Sequence, residues 1–264
     1  MIGGIAGDII GSRFEFKKVP EEFSLFTKKS RFTDDSVLMI ALADSLMNKK
    51  KWTRTLHDYY ERYPNRGYGS SFIKWAKEKS MDSYNSFGNG SAMRVHPVGW
   101  ISKSLDETLR KAAISAGPTH SHQEGIEGAK AIASCIFLAR DGASKDQIKE
   151  YIQDKFYSLE VLSIENIKGV FSAIKRSQAC SCAYSVPAAI MAFLESKDFE
   201  SSIRIAISMG GDTDTVACMA GGIAEAFYGG VPEKIKEKVF KILDPRLNKI
   251  VRKFYKKYIE TSEP

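Results

Sequence analysis

Apolar side chains recur along most of this chain three and four residues apart, the period of a helix with one buried face. Ile2, Ile5, Ala6, Ile9 and Ile10 set the pattern over residues 2–11, so the chain begins inside the core, with Gly3, Gly4, Gly7 and Gly11 allowing close packing. Val37, Leu38, Ala41, Leu42 and Leu46 repeat it. So do Val216, Ala220, Ile223, Ala224 and Phe227, until Gly229 and Gly230 supply a stop. Between these, the same period predicts helices over residues 52–63 and 70–79, through Ile126, Ala129, Ala133, Ile136 and Phe137, and over 144–155, 163–176, 186–195 and 198–208. Ser144, Ser163 and Asp198 read as N-caps, and Pro187 as a first-turn proline. Strand-like alternation is hard to find, and no Pro-, Gly- or Ser-rich boundary, repeat or low-complexity run divides the chain. The expectation is all-α, one domain of about ten helices.

The segments between helices carry most of the polar chemistry. Residues 17–31, rich in Lys and Phe and without periodicity, read as a lid or as a plain surface connection. In MDSYNSFGNGSAMRVHPVGW two glycines flank Asn89, which predicts a turn. Backbone N–H groups exposed there, with Ser91 and Arg94, could hold phosphate or ribose oxygens. After the Gly117-Pro118 turn come His120 and His122, which suit capping or substrate contact better than a zinc pair.

Composition narrows the class. A chain of 264 residues, 43% hydrophobic and 27% charged, has the balance of a soluble globular protein. No run approaches the roughly 18 uncharged apolar residues of a membrane span. The opening MIGGIAGDIIGSRFEF has no basic region and carries Asp8 inside its apolar run, unlike a signal peptide. Cys135, Cys180, Cys182 and Cys218 fit neither a zinc knuckle nor a redox motif, so they read as reduced and mostly buried thiols of a cytoplasmic protein. Much of the net charge of +7 lies in KIKEKVFKILDPRLNKIVRKFYKKY, where Lys and Arg alternate with Ile235, Val239, Phe240 and Ile242. That is the solvated face of a peripheral helix rather than a nucleic-acid surface.

Two helix starts concentrate acids. Thr33, Asp34 and Asp35 precede one buried helix; Gly210 and Gly211, then Asp212, Asp214 and Thr215, precede another. Such residues are ordinary N-terminal helix chemistry taken singly, since their oxygens accept orphan N–H bonds. Four carboxylates in one restricted space are different: their pKa values must rise, or cations must neutralise them. Asp and Thr oxygens, with no Cys, suit a hard cation such as Mg²⁺.

The motifs GGIAGDIIGSRFEF, RFTDDSVL, FGNGSAMRVHPVGW, THSHQEG and GGDTDTVACMAGGIAEAFYG together resemble the ADP-ribosylglycohydrolase family, which spans dinitrogenase-reductase-activating glycohydrolases, ADP-ribosyl-acceptor hydrolases and the non-enzymatic J1 crystallins. The resemblance implies a compact, orthogonal multi-helix domain over residues 1–264. It implies two Mg²⁺ ions, or Mn²⁺ in some members, held by Thr33, Asp34, Asp35, Asp212, Asp214 and Thr215. It further implies cleavage of the bond between ADP-ribose and an acceptor, with Asp34 or Asp214 as base and Glu15 guarding or completing the metal site. Asn89, Gly90, Ser91, His120, Gly210 and Gly211 would lie along the ribose or pyrophosphate. Ser36 stands where many relatives carry a second Thr, which keeps the hydroxyl. The acceptor stays open among serine, arginine, other O-linked groups, O-acetyl-ADP-ribose and modified nucleic acid.

Two other readings remain at this level: a non-catalytic ADP-ribose-binding or crystallin-like relative, and a Mg²⁺-dependent lyase of the terpenoid-synthase type. The second wants a DDxxD motif, whereas Asp34-Asp35 is followed by Ser36-Val37-Leu38 with no third acid.

Overall fold

The computed structural model describes residues 1–260, and among them the secondary structure is helical, with a lone bridge between Gly88 and Ser181 in place of any strand. In chain order the helices are α1 (Ile2–Gly11), α2 (Asp34–Asn48), α3 (Trp52–Arg62), α4 (Ser70–Lys77), α5 (Gly90–Met93) and α6 (His96–Ile101). Then come α7 (Leu105–Ala116), α8 (Gln123–Arg140), α9 (Lys145–Lys155), α10 (Ile164–Ala173) and α11 (Arg176–Ala179). The last are α12 (Cys182–Leu194), α13 (Phe199–Ser208), α14 (Thr213–Phe227), α15 (Glu233–Ile242) and α16 (Pro245–Tyr258). The all-α expectation holds; short segments such as α5 and α11 raise the number of helices above ten.

At the centre α1 and α14 run antiparallel with their backbones touching. A Cβ on Gly7 would lie 2.0 Å from the Ala217 carbonyl oxygen, and one on Gly3 2.2 Å from that of Gly221. Only glycine permits that approach. Every residue of α1 is buried, Asp8 included. α2 crosses beside this pair with residues 35–45 buried, and α16 packs against α2 through Leu247, Val251 and Phe254. The Lys and Arg residues of α15 and α16 lie on the opposite, outward faces, as their alternation predicts.

Three local expectations need correction. α12 starts at Cys182, not Val186, which puts Pro187 inside the helix. The carbonyl of Ala183, which the proline nitrogen leaves without a partner, sits at an exposed position where water can reach it, so the cost is small. The helix expected over 163–176 ends at Ala173, because Ile174 turns extended before α11 begins. α7 was not anticipated, although Ser104 caps it by accepting from Glu107 N, the Ser-x-x-Glu signature of a helix start. The expected caps Ser144, Ser163 and Asp198 all accept backbone N–H bonds. Segment 17–31 has no regular structure, but it is pinned: Arg204 donates to the Phe23 carbonyl at 2.9 Å, and Phe23, Leu25 and Phe26 pack on the core. Among the described residues no helix is long and apolar enough to cross a membrane.

Candidate active site

The starts of α2 and α14 meet. Thr33, the N-cap of α2, accepts from Asp35 N, and its Oγ1 lies 3.1 Å from Asp35 Oδ2. From the other helix Thr215 Oγ1 donates to the same Asp35 oxygen at 3.3 Å. Gly210 and Gly211 make the preceding turn with φ of +78° and +69°, a region open to glycine at no cost, and a Cβ on Gly211 would lie 3.0 Å from the Phe171 ring. Thr213 anchors the start of α14 by donating to the Gly11 carbonyl at 3.1 Å.

Both starts open into a cavity of about 630 Å³. Its lining includes all six residues Thr33, Asp34, Asp35, Asp212, Asp214 and Thr215. Glu15, Asn89, Gly90 and His120 line it too. Three other expected residues sit elsewhere. Ser91 is buried with its hydroxyl donating to the Gly125 carbonyl at 2.7 Å, while Gly210 and Gly211 lie behind the wall, where the Gly211 carbonyl accepts from Phe16 N at 2.9 Å and so fixes the segment that carries Glu15. Asn89 donates to Asp212 Oδ2 at 2.7 Å, which makes it a holder of an acid. His122 leaves the site altogether and caps α8 by accepting from Glu124 N; it does not pair with His120.

Asp8 was missed as a site residue. In the sequence it figured only as a charge that a signal peptide would lack, yet a carboxylate inside the apolar run of α1 was itself the available signal. Its Oδ1 accepts from Thr33 Oγ1 at 2.7 Å, and its Oδ2 accepts from Thr33 N at 2.9 Å, Ser36 N at 3.1 Å and the Ser36 hydroxyl. It therefore clamps the first turn of α2 from below, using the hydroxyl that Ser36 retains. Arg176 was missed too: the break after α10 delivers it to the cavity mouth, where it pairs with Glu15 and lies 4.3 Å from the Phe16 ring centroid.

The electrostatics are those of crowded acids. Burial, then repulsion from Asp8, pushes the Asp34 carboxyl well above the usual carboxylate range, and burial followed by Asp8 and Asp34 does the same to Asp35. Asp214 is raised by burial and then by Asp212 and Asp35. Glu15 is raised by burial and by Asp212, with Arg176 opposing. Asp8 is raised by burial, and the Ser36 and Thr33 bonds hold it back. One oxygen has no donor: Asp35 Oδ1 is buried without a hydrogen-bond partner among the described residues. Asp8, Asp35 and Asp214 can each offer one oxygen, all within 4.8 Å of one another, and Glu15, Asp212 and Asp214 form a second such group sharing Asp214. An orphaned carboxylate oxygen among oxygen donors, with no thiolate or imidazole, fits a hard divalent cation.

Comparison with known proteins gives this arrangement its class: the chain belongs to the ADP-ribosylglycohydrolase family, whose pattern matches residues 1–264. It is accordingly a glycohydrolase, and the lyase reading is set aside. Among its relatives, ADP-ribosylhydrolase ARH3 of Danio rerio is 28% identical over 87% of this chain and 81% of its own length, and the Homo sapiens protein of that name is 27% identical over 88% and 86%. ADP-ribosylarginine hydrolase Tri1 of Pseudomonas putida is 26% identical over 90% of this chain and 72% of its own. A solved structure described as an ADP-ribosylglycohydrolase-related protein complex shares the fold with a TM-score of 0.73 at 23% identity, covering 97% of this chain and 95% of that one.

Proposed function

We propose that this protein hydrolyses the glycosidic bond between ADP-ribose and an acceptor, with two divalent cations, Mg²⁺ or Mn²⁺, held by Thr33, Asp34, Asp35, Asp212, Asp214 and Thr215. The observation that carries the reading is the convergence of two helix starts on one cavity around the orphaned Asp35 oxygen. Bound there, the ions would supply Lewis-acid polarisation and orient the vicinal hydroxyls of a ribose.

The chain's own residues supply the rest. Asp34 or Asp214 takes a proton from the attacking water as general base, and burial raises both carboxyls above the ordinary carboxylate range. Asn89 fixes Asp212, and Asp8 fixes Thr33 and the first turn of α2. Glu15 stands at the mouth, tethered by Arg176, where it can cover a seated substrate. Gly90 and His120 face the cavity, and Arg31, Arg66 and Arg176 bring positive charge to it, which suits a pyrophosphate. A volume of about 630 Å³ matches a ligand of dinucleotide size rather than a folded partner.

Helices from both halves of the chain build this one site, which supports reading residues 1–264 as one domain. Four unpaired cysteines support a cytoplasmic setting. The acceptor is a protein side chain, a small ADP-ribose derivative or a modified nucleic acid. The test is release of ADP-ribose from serine-linked, arginine-linked, O-acetyl and nucleic-acid-linked substrates, with Mg²⁺, with Mn²⁺ and with chelator. Cleavage of at least one substrate that chelator abolishes is expected; binding of ADP-ribose without turnover under every condition would mean a non-catalytic relative.

A further inference from the structure

Beside the cavity lies a buried cation with no anionic partner. The Arg94 side chain is fully buried, and no carboxylate pairs with it among the described residues. Burial lowers its pKa to about 10, so it remains charged at neutral pH. An unpaired guanidinium is costly to keep in a protein interior and calls for a role. Its Nη2 donates to the Ser115 carbonyl at 3.1 Å and to Thr119 Oγ1 at 2.8 Å. Thr119 Oγ1 in turn lies 2.7 Å from His120 Nδ1.

The direction of these bonds follows from what each group can do. A guanidinium has only donors, so Thr119 must accept from it. The hydroxyl then has a single proton of its own, which Arg94 cannot receive and which the His120 imidazole, 2.7 Å away, can. With that proton directed at Nδ1, this nitrogen is the bare, accepting one and the ring proton resides on Nε2. The Tyr84 hydroxyl also faces Thr119; with the Thr119 proton on Nδ1 the phenol donates to the same oxygen, and with that proton turned to Tyr84 the imidazole would lose it, so the two groups compete for one hydrogen. Nε2 points at the Gly88 to Gly90 turn: it would lie 3.2 Å from a Cβ on Gly90 and 3.8 Å from one on Gly88, and no protein acceptor among the described residues bonds it.

We infer that Arg94 and Thr119 are positioning residues that lock His120 in its Nε2–H tautomer, so that a neutral imidazole presents one fixed donor to an anionic oxygen of the ligand, of the phosphate class. Burial first, and then the Arg94 charge, keep the ring from taking a second proton, so the donor persists on acidification. Besides Arg94, the groups around the ring are the Tyr84 ring, at 6.2 Å between centroids, and the glycines at 88, 90 and 125, which leave it room. The choice of ligand rests on the glycohydrolase reading; the tautomer does not.

Two measurements separate these parts. Long-range ¹H–¹⁵N spectra of the full-length, ligand-free protein at neutral pH should show His120 Nδ1 as an unprotonated nitrogen and Nε2 as a protonated one. Thr119→Val, close to isosteric, should pull both resonances toward the tautomer average, and Thr119→Ser should leave them as in the parent. A parent spectrum with the proton on Nδ1, or a Thr119→Val spectrum like the parent's, overturns the lock, and the parent spectrum decides even if the valine variant fails to fold. In titrations with ADP-ribose, folded Thr119→Val should bind about tenfold more weakly, the worth of one well-placed hydrogen bond, with serine restoring the affinity. Equal affinity for parent and valine variant overturns the presentation of the donor. A parent that binds no ADP-ribose overturns the proposed ligand, and the spectra then still decide the lock.

Discussion

Asn89 Nδ2 donates to Asp212 Oδ2 at 2.7 Å, tying the turn before α5 to the N-cap of α14. Asp212 makes no capping bond of its own, so Asn89, with the Cys180 thiol beside it, holds the direction of this carboxylate. Hydrogen bonds to charged groups contribute about 1.5–3 kcal/mol. Asn89→Ala is therefore expected to lower kcat/KM on an ADP-ribosylated substrate by roughly 10- to 100-fold, with the fold retained. Steady-state kinetics beside a thermal melt decide it, and loss of the fold with the activity would assign Asn89 a structural duty instead.

Asp8 offers a sharper case, because four donors from two residues converge on its carboxylate. Asp8→Ala removes the acceptor and leaves the N–H and O–H donors of Thr33 and Ser36 without their partner. An expected loss of about 2–4 kcal/mol follows from an unsatisfied buried network, read as a fall in the denaturant midpoint, together with weakened Mg²⁺ binding by calorimetry. A variant as stable as the parent would mean that the clamp beneath α2 is unimportant.

Stability should depend on pH in a direction set by the crowded acids. Asp34, Asp35 and Asp214 have folded pKa values raised above the ordinary 3.8, burial being the first cause in each. Protonation therefore favours the folded state. Their contribution is complete below the unfolded value and is lost as pH rises through the raised ones. In chelator, Tm is expected to fall as pH increases above the ordinary carboxylate range, and excess Mg²⁺ should restore it most at the alkaline end. Differential scanning fluorimetry across pH, with and without the ion, checks both signs; a Tm that climbs with pH in chelator contradicts the electrostatics described above.

Gly7 and Gly142 make a matched pair. Alanine at Gly7 sets a methyl 2.0 Å from a backbone oxygen of α14 and must separate the central helices, an effect expected to exceed about 4 kcal/mol. Gly142 has open space around it and a φ of +87°, so alanine there should cost about 1 kcal/mol through backbone strain alone. Urea melts of the two variants give the comparison, and a mild Gly7→Ala would mean that the central seam can loosen.

Local chemistry was what the sequence made legible. Thr33 as a cap, the glycine turn at 210 and 211 and the apolar stripes of α1, α2 and α14 depend on neighbours within four residues, and each is found as read. The meeting of the two acidic starts could be argued from charge and burial but not located, because it depends on α1 and α14 touching through their glycines. Asp8 shows the limit: a charge within an apolar run can be noticed in the sequence, while its partners lie 25 and 28 positions away. Ser91 fails the other way, since its position in a glycine-rich turn suggested a ligand and the Gly125 carbonyl claims its hydroxyl instead. Arg176 reached the cavity because Ile174 leaves the helix, an event no hydrophobic pattern records.

The glycine seam between α1 and α14 also governs how this enzyme would lose function on heating. The same two rods form the innermost packing of the molecule and hold Asp8 beneath the cavity and Asp214 in its wall, so melting at the periphery would not by itself separate these two acids. Deuterium uptake at those amides and thermal inactivation should share one cooperative transition, and a designer wishing to loosen the catalytic apparatus would have to loosen the whole body with it.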